Sequence, residues 1–121
     1  SRRLRMVACS HLANVGGPSA GLMFSLAVID KLTTGDLNGS KFIAGTGTIS
    51  EDGKVGPIGG ITHKMMAAQE AGATVFLVPA ENCDEARTVE HDTMELVKVD
   101  SLGQAVESLH TLTSGGRPPS C

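Results

Sequence analysis

Residues 42–79, FIAGTGTISEDGKVGPIGGITHKMMAAQEAGATVFLVP, contain the succession of patterns that decides the fold. A strand is predicted over 42–49, and the pair Asp52-Gly53 predicts a hairpin turn into a short return strand. Apolar residues with a helical period come next, and the β-branched and aromatic run over 74–78 is typical of a strand covered on both faces. Strand, helix and strand in this order predict an α/β fold whose sheet is at least partly parallel.

The flanking segments extend the same pattern in both directions. On the N-terminal side, the apolar run 4–9 predicts an edge strand, and a helical stripe begins at Ser19 and stops before Gly35. On the C-terminal side, 94–99 predicts a further strand, and Ser101 is the expected cap of a final amphipathic helix. The whole chain is therefore expected to form a single small α/β domain.

Composition excludes two classes of partner. The 121 residues carry a net charge of −3, with no Trp, no Tyr and three Phe. This composition argues against nucleic-acid binding, which uses basic surfaces and aromatic stacking platforms. No stretch approaches the roughly 20 apolar residues that cross a bilayer, so no membrane segment is predicted in this chain.

The three cysteines, Cys9, Cys83 and Cys121, have no spacing typical of a metal site. An odd number of thiols cannot all pair within one chain. We therefore expect them to be reduced and without a structural role, which leaves the cellular compartment undecided.

The segment Gly17-Pro18-Ser19-Ala20-Gly21 places a hydroxyl at the start of a predicted helix. Proline suits the first helical position, and the free N–H groups that follow it at the positive end of the helix dipole could bind an oxyanion. Ser19 is then a candidate nucleophile that needs a neighbouring base. The alternative is that Ser19 is an ordinary helix cap.

Lys64 is the candidate base. It lies in the first turn of the helix predicted from Ile61, where a cation opposes the helix dipole, so helix stability does not explain it. Lysine can act as a general base where its surroundings favour the neutral amine, which arginine cannot do. The alternative is that Lys64 is a solvated surface residue.

Three ordered motifs carry a family resemblance: GGPSAG at 16–21, AGTGTISEDGKVGPIGGITHK at 44–64 and AAQEAGATVFLVPAEN at 67–82. Together they resemble the proteolytic domain of Lon-type serine proteases, and most closely the ATP-independent Lon-like peptidases that carry a PDZ domain. The resemblance implies an α/β fold like domain 2 of ribosomal protein S5, with a mixed sheet and flanking helices, of which the N-terminal part is truncated.

The resemblance also divides the chain into three parts. Residues 1–15 are expected to be a truncated or irregular lead-in, and 16–112 the C-terminal part of the Lon-like proteolytic domain. Residues 113–121 are rich in Gly, Pro and Ser, and we expect them to be a disordered tail.

The resemblance assigns a role to each candidate site residue. It implies that Ser19 is the nucleophile, Lys64 the general base and Thr46 the residue that orients the lysine. Backbone groups at Gly17 and Ala20 would stabilise the oxyanion. The implied activity is that of a serine endopeptidase that hydrolyses peptide bonds through an acyl-enzyme, with no metal or organic cofactor.

The implied partners are peptides or unfolded proteins as substrates, and further copies of the chain in a homo-oligomeric ring. The implied location depends on the branch of the family. A conventional Lon protease would be cytoplasmic, whereas a PDZ-containing relative would be anchored to a membrane and extracytoplasmic.

Two alternatives remain open. Ser19 also fits the Gly-x-Ser-x-Gly pattern of α/β-hydrolases, which requires an acid and then a histidine downstream. Asp84 or Asp92 followed by His110 is the order that satisfies this requirement. The other alternative is a Lon-like domain that has no catalytic activity and serves as an assembly module.

Overall fold

The computed structural model describes residues 5–8, 20–32, 42–91 and 93–121. Strands and helices alternate along most of this chain, as the sequence predicts. In order they are β1 (Arg5–Ala8), α1 (Gly21–Leu32), β2 (Phe42–Gly45), β3 (Thr48–Ile49), β4 (Val55–Gly56), α2 (Ile61–Glu70), β5 (Val75–Pro79), α3 (Cys83–Ala86), β6 (Glu95–Val99) and α4 (Leu102–Thr113). A single 3₁₀ turn, Ala80–Asn82, joins β5 to α3.

The strands form two separate sheets. The larger has the order β1-β2-β5-β6, and all three of its pairings are parallel. The smaller is the antiparallel hairpin of β3 and β4. The prediction of a partly parallel sheet is confirmed. The expected mixed pairing is present in the described residues as a parallel sheet and a separate antiparallel hairpin.

Helices cover both faces of the parallel sheet. One core cluster joins Phe42, Ala44 and Phe76 in the strands to α2 and α3. The other joins Ile43 and Leu77 to α1 and α4. Side chains alternate between the two faces of a strand, so successive residues of β2 and β5 contribute in turn to the two core clusters. All five residues of β5 are buried, which confirms the prediction of a strand covered on both sides.

The strand predicted over 42–49 is interrupted at Thr46 and Gly47. A Cβ atom on Gly47 would lie 2.9 Å from Val55 Cγ1 and 3.4 Å from Leu22 Cβ, so neighbouring groups approach the chain too closely for a side chain. Leu22 N also donates a hydrogen bond to Gly47 O at 3.0 Å. The chain leaves the parallel sheet at this contact and enters the hairpin.

The hairpin packs against the junction of β6 and α4. Val55 N donates to Asp100 O at 3.0 Å, and Leu102 N donates to Gly53 O at 2.8 Å. Ser101 caps α4 by accepting a hydrogen bond from Gln104 N at 3.1 Å, as predicted. The hairpin therefore extends from the end of β2 to the end of β6, across the carboxyl ends of the strands.

The C-terminal segment differs from the predicted disordered tail. Lys98 N, in the edge strand β6, donates to Pro119 O at 3.0 Å, and Pro118 is buried. Cys121 forms a disulfide bond with Cys83 at the start of α3. The expectation of reduced, incidental thiols is thus wrong for these two cysteines, while Cys9 lies outside the described residues. The composition of the tail suggested disorder, but a covalent bond and an edge-strand contact hold it in place.

Candidate active site at the carboxyl ends of the strands

The first turn of α1 meets the chain just beyond β2. The hydrogen bond from Leu22 N to Gly47 O fixes this contact, and Ala20 is buried immediately before the helix. A Cβ atom on Gly21 would lie 3.2 Å from Ile49 N, so a larger residue would push the helix away from the hairpin. The helix predicted after the GPSAG segment therefore begins at the carboxyl end of β2.

The first turn of α2 lies at the same end of the sheet. Thr74, which follows α2, donates through its backbone N to Phe42 O at 2.9 Å, at the opposite end of β2. A ten-residue helix is about 15 Å long, close to the length of β2 with its extension to Thr46. Because α2 ends beside the start of β2, it begins beside the end of β2. Lys64 lies in that first turn and is half-buried. Its backbone N donates a hydrogen bond to Gly60 O at 3.1 Å.

Thr46 is fully buried between these two helix ends. Its backbone N donates to Leu77 O at 3.4 Å, which continues the ladder between β2 and β5 by one residue. Ala44 faces α2, and extending the alternation of β2 by one residue predicts that Thr46 lies on the same side. The predicted orienting residue and the predicted base therefore come from adjoining elements on one side of the sheet.

The helix that follows the predicted nucleophile in the sequence, α1, and the helix that carries the predicted base, α2, pack on opposite faces of the sheet. Their first turns nevertheless approach the same edge, where the chain passes through Thr46 and Gly47. The carboxyl ends of parallel strands are the usual position of binding sites in α/β proteins. Two helix N-termini at this edge supply partial positive charge, which suits a developing oxyanion.

Ser19 and Gly17 lie outside the described residues, so their positions stay predictions. Ala20, Thr46 and Lys64 are described, and the elements that carry them begin or end at the carboxyl edge of the sheet. The pairing of Ser19 with Lys64 and the oxyanion roles of Gly17 and Ala20 are likewise predictions.

Asn82 is a buried polar residue at this edge that the sequence analysis did not assign. It follows β5 at the end of the third motif, and its side chain is 6% exposed. Its Oδ1 accepts a hydrogen bond from Ile58 N at 2.9 Å, and its Nδ2 donates to Ile58 O at 3.0 Å. The available signal was an amide three residues after the end of a fully buried strand.

The described residues do not assemble the alternative Ser/His/Asp site. α4 begins at the carboxyl edge and is about 18 Å long, so His110, in its last turn, lies toward the opposite edge. Asp84 is exposed, pairs with Arg87 and belongs to α3 on the other face of the sheet. Asp92 lies outside the described residues.

A surface groove lies away from the predicted site. It is bounded by the start of β6, the end of α4 and the C-terminal tail, and its lining includes Arg87, His91, Glu95 and Arg117. Of the predicted site residues that the structure describes, Ala20, Thr46 and Lys64, none lines it. In the described ranges, no three His, Cys, Asp or Glu side chains are grouped so that they could hold a metal ion, and no helix is long and apolar enough to cross a membrane.

Comparison with known proteins gives a consistent match. The family model for the Lon protease (S16) C-terminal proteolytic domain matches residues 13–112 of this chain. The chain is similar to a Lon protease of Roseiflexus castenholzii, with 40% identity over 83 residues, which are 69% of this chain and 10% of the relative. It is also similar to a Lon protease of Clostridioides difficile, with 39% identity over 94 residues, 75% of this chain and 12% of the relative.

A third relative is an archaeal Lon protease of Methanothermobacter thermautotrophicus, with 37% identity over 105 residues. This match covers 85% of the chain and 16% of the relative. The chain thus spans no more than about a sixth of the length of these relatives.

Proposed function

Because the chain belongs to the family of the Lon protease C-terminal proteolytic domain, we propose that it is the peptide-hydrolysing part of a serine endopeptidase. Ser19 is the nucleophile and Lys64 is the general base. The observation that carries the proposal is that the first turn of α1 contacts the chain just beyond β2, next to the buried Thr46. The loop that enters α2 is bonded through Ile58 to Asn82, which follows β5 at the same edge. Ser19 directly precedes the buried Ala20 in the sequence, which ties the proposed nucleophile to the start of α1.

In the proposed reaction, Ser19 Oγ attacks the carbonyl carbon of the scissile peptide bond while neutral Lys64 Nζ takes the hydroxyl proton. The carbonyl oxygen becomes an oxyanion, stabilised by backbone N–H groups at the start of α1, with Gly17 and Ala20 contributing to that binding site. As the C–N bond breaks, the Lys64 ammonium returns the proton to the leaving amine. Water then attacks the acyl carbon while Lys64 Nζ takes one proton from the water. The bond between the acyl carbon and Ser19 Oγ breaks, and the Lys64 ammonium returns the proton to Oγ.

Thr46 is proposed to orient the Lys64 amine toward the nucleophile. Its complete burial on the α2 side of the sheet supports this role, because a buried hydroxyl needs a hydrogen-bond partner. A base must lie within about 3 Å of the proton it removes, so a small displacement of a flexible lysine would slow the reaction.

Membership of the family motivates the wider proposals. We infer peptides and unfolded proteins as substrates, a homo-oligomeric ring as the assembly, and a fold of the type found in domain 2 of ribosomal protein S5. The closer likeness to PDZ-containing, ATP-independent relatives stays a prediction from the three motifs.

A fluorophosphonate probe tests the proposed nucleophile. We expect labelling of the chain that is lost in Ser19→Ala and retained in Ser25→Ala, a serine within α1. Labelling that persists in Ser19→Ala would contradict the proposal, and a chain that is never labelled would favour a non-catalytic assembly module.

Lysine variants test the proposed base. Lys64→Ala should abolish peptide hydrolysis, whereas Lys98→Ala, at an exposed position of β6, should leave it unchanged. Full activity of Lys64→Ala would contradict the assignment of Lys64 as the base.

A further inference from the structure

The loop that leads into α2 is held by one side chain. Ile58, in the loop 57–60, has both its backbone N–H and its C=O bonded to the Asn82 amide, at 2.9 and 3.0 Å. Asn82 is buried, and it is anchored in turn by the 3₁₀ turn that follows β5. The two hydrogen bonds of the Asn82 amide thus join the turn after β5 to the backbone of a loop that belongs to no strand.

The rest of this loop is poorly restrained. Gly59 and Gly60 are exposed, and a Cβ atom on either would find no heavy atom within 4 Å. Gly60 begins α2 with φ 73°, and no side chain caps the helix there. Within the part of the chain that the structure describes, the contact with Asn82 is therefore the main polar tether of the segment that enters α2.

We propose that Asn82 is a positioning residue for Lys64. By fixing Ile58, Asn82 fixes where the chain enters α2, and therefore where the first turn of that helix presents the lysine. Lys64 N bonds to Gly60 O at 3.1 Å, so the loop and the lysine are connected through the first hydrogen bond of the helix. The inference rests on the proposed role of Lys64 as the base.

Asparagine suits this position because its planar amide offers a donor and an acceptor side by side. Alanine would leave both groups of the half-buried Ile58 without that partner. Aspartate would keep an acceptor for Ile58 N but place a carboxylate oxygen against Ile58 O. Both substitutions should therefore loosen the loop, alanine through the loss of both hydrogen bonds and aspartate through repulsion between its carboxylate and Ile58 O.

Steady-state kinetics test the effect on Lys64. Asn82→Ala should lower kcat about tenfold to a hundredfold, the effect of misplacing a catalytic group by about 1 Å, and leave KM unchanged. The matched control is Ser108→Ala, which removes another buried polar side chain, one that accepts from Gln104 Nε2 at 2.9 Å in α4. Equal kcat for Asn82→Ala and the wild type would overturn the inference, as would an equal loss in the control.

Amide hydrogen exchange tests the tether without relying on activity. In the wild type the Ile58 amide should be protected, and Asn82→Ala should speed exchange at Ile58 and Lys64 but not at Ala105, in α4. Asn82→Asp, which loses the bond to Ile58 O, should also speed exchange at Ile58 and Lys64 and serves if the alanine variant fails to fold. A wild-type Ile58 amide that exchanges like an open loop would overturn the inference. Wild-type protection without Ser19-dependent activity would instead contradict the proposed function alone.

Discussion

Thr46 is completely buried where β2 ends, and valine has nearly the same shape without the hydroxyl. If the hydroxyl orients Lys64, Thr46→Val should lower kcat about tenfold to a hundredfold, because a lost buried hydrogen bond costs about 1–3 kcal/mol. Thr46→Ser keeps the hydroxyl and should retain most of the turnover. Rates of peptide hydrolysis by the folded variants provide the measurement. Equal turnover by the valine and serine variants would argue against the orienting role.

Gly47 permits the close contact between α1 and the end of β2. Gly47→Ala would force a methyl group to within 2.9 Å of Val55 Cγ1, and overpacking of this kind costs about 1–3 kcal/mol of unfolding free energy. Gly59→Ala is the matched control, since its Cβ would meet no atom within 4 Å. Urea unfolding of both variants checks the difference, and similar stabilities would contradict the described contact.

The hairpin is the element that connects β2 to the β6–α4 junction, and its turn contains an exposed carboxylate. The Ser50 hydroxyl donates to Asp52, and this hydrogen bond lowers the pKa of Asp52 below its ordinary value, helped by the Lys54 backbone. A carboxylate with a lowered folded-state pKa stabilises the fold above its unfolded-state pKa. That contribution is lost as the pH falls through the folded-state pKa.

Asp52→Asn should therefore be less stable than the wild type at neutral pH, by a small amount. The difference should shrink in acid, where the wild-type carboxylate is protonated. Chemical unfolding at a series of pH values provides the measurement. A difference that does not depend on pH would show that the charge of Asp52 has no part in the turn.

Most elements could be predicted because their signals are local. The helical stripe of α2, the buried run of β5 and the Ser101 cap are each set by residues within a few positions of one another. The break in the strand at Thr46 could not be placed in this way. It depends on Leu22, which is distant in sequence.

The unpredicted features all depend on partners far away in the chain. Asn82 and Ile58 are 24 residues apart, and a single amide after a strand has no periodic pattern. Three cysteines permit three different pairings, and no local signal selects Cys83 with Cys121. Residue type and motif order predict Ser19, Thr46 and Lys64 as site residues, but they do not give the distances between these residues.

At the scale of the whole molecule, the disulfide closes a long loop. Cys83 and Cys121 are 38 residues apart, so the bond should stabilise the fold by about 4 kcal/mol through the entropy of the unfolded chain. Cys83→Ser should lower the unfolding free energy by a similar amount. The unfolding free energy of this variant should not change when reductant is added. Urea unfolding with and without dithiothreitol tests this, and a wild type whose stability does not change on reduction would contradict it.

The proposed catalytic dyad depends on one distance, that between Ser19 Oγ and Lys64 Nζ. A crystal structure of the chain that resolves the segment before α1 would measure it directly. We predict a separation of about 3 Å, or two hydrogen bonds bridged by a single water molecule. A Ser19 hydroxyl on the far side of α1, with Lys64 Nζ extended into solvent and several water layers between them, would contradict the proposed dyad.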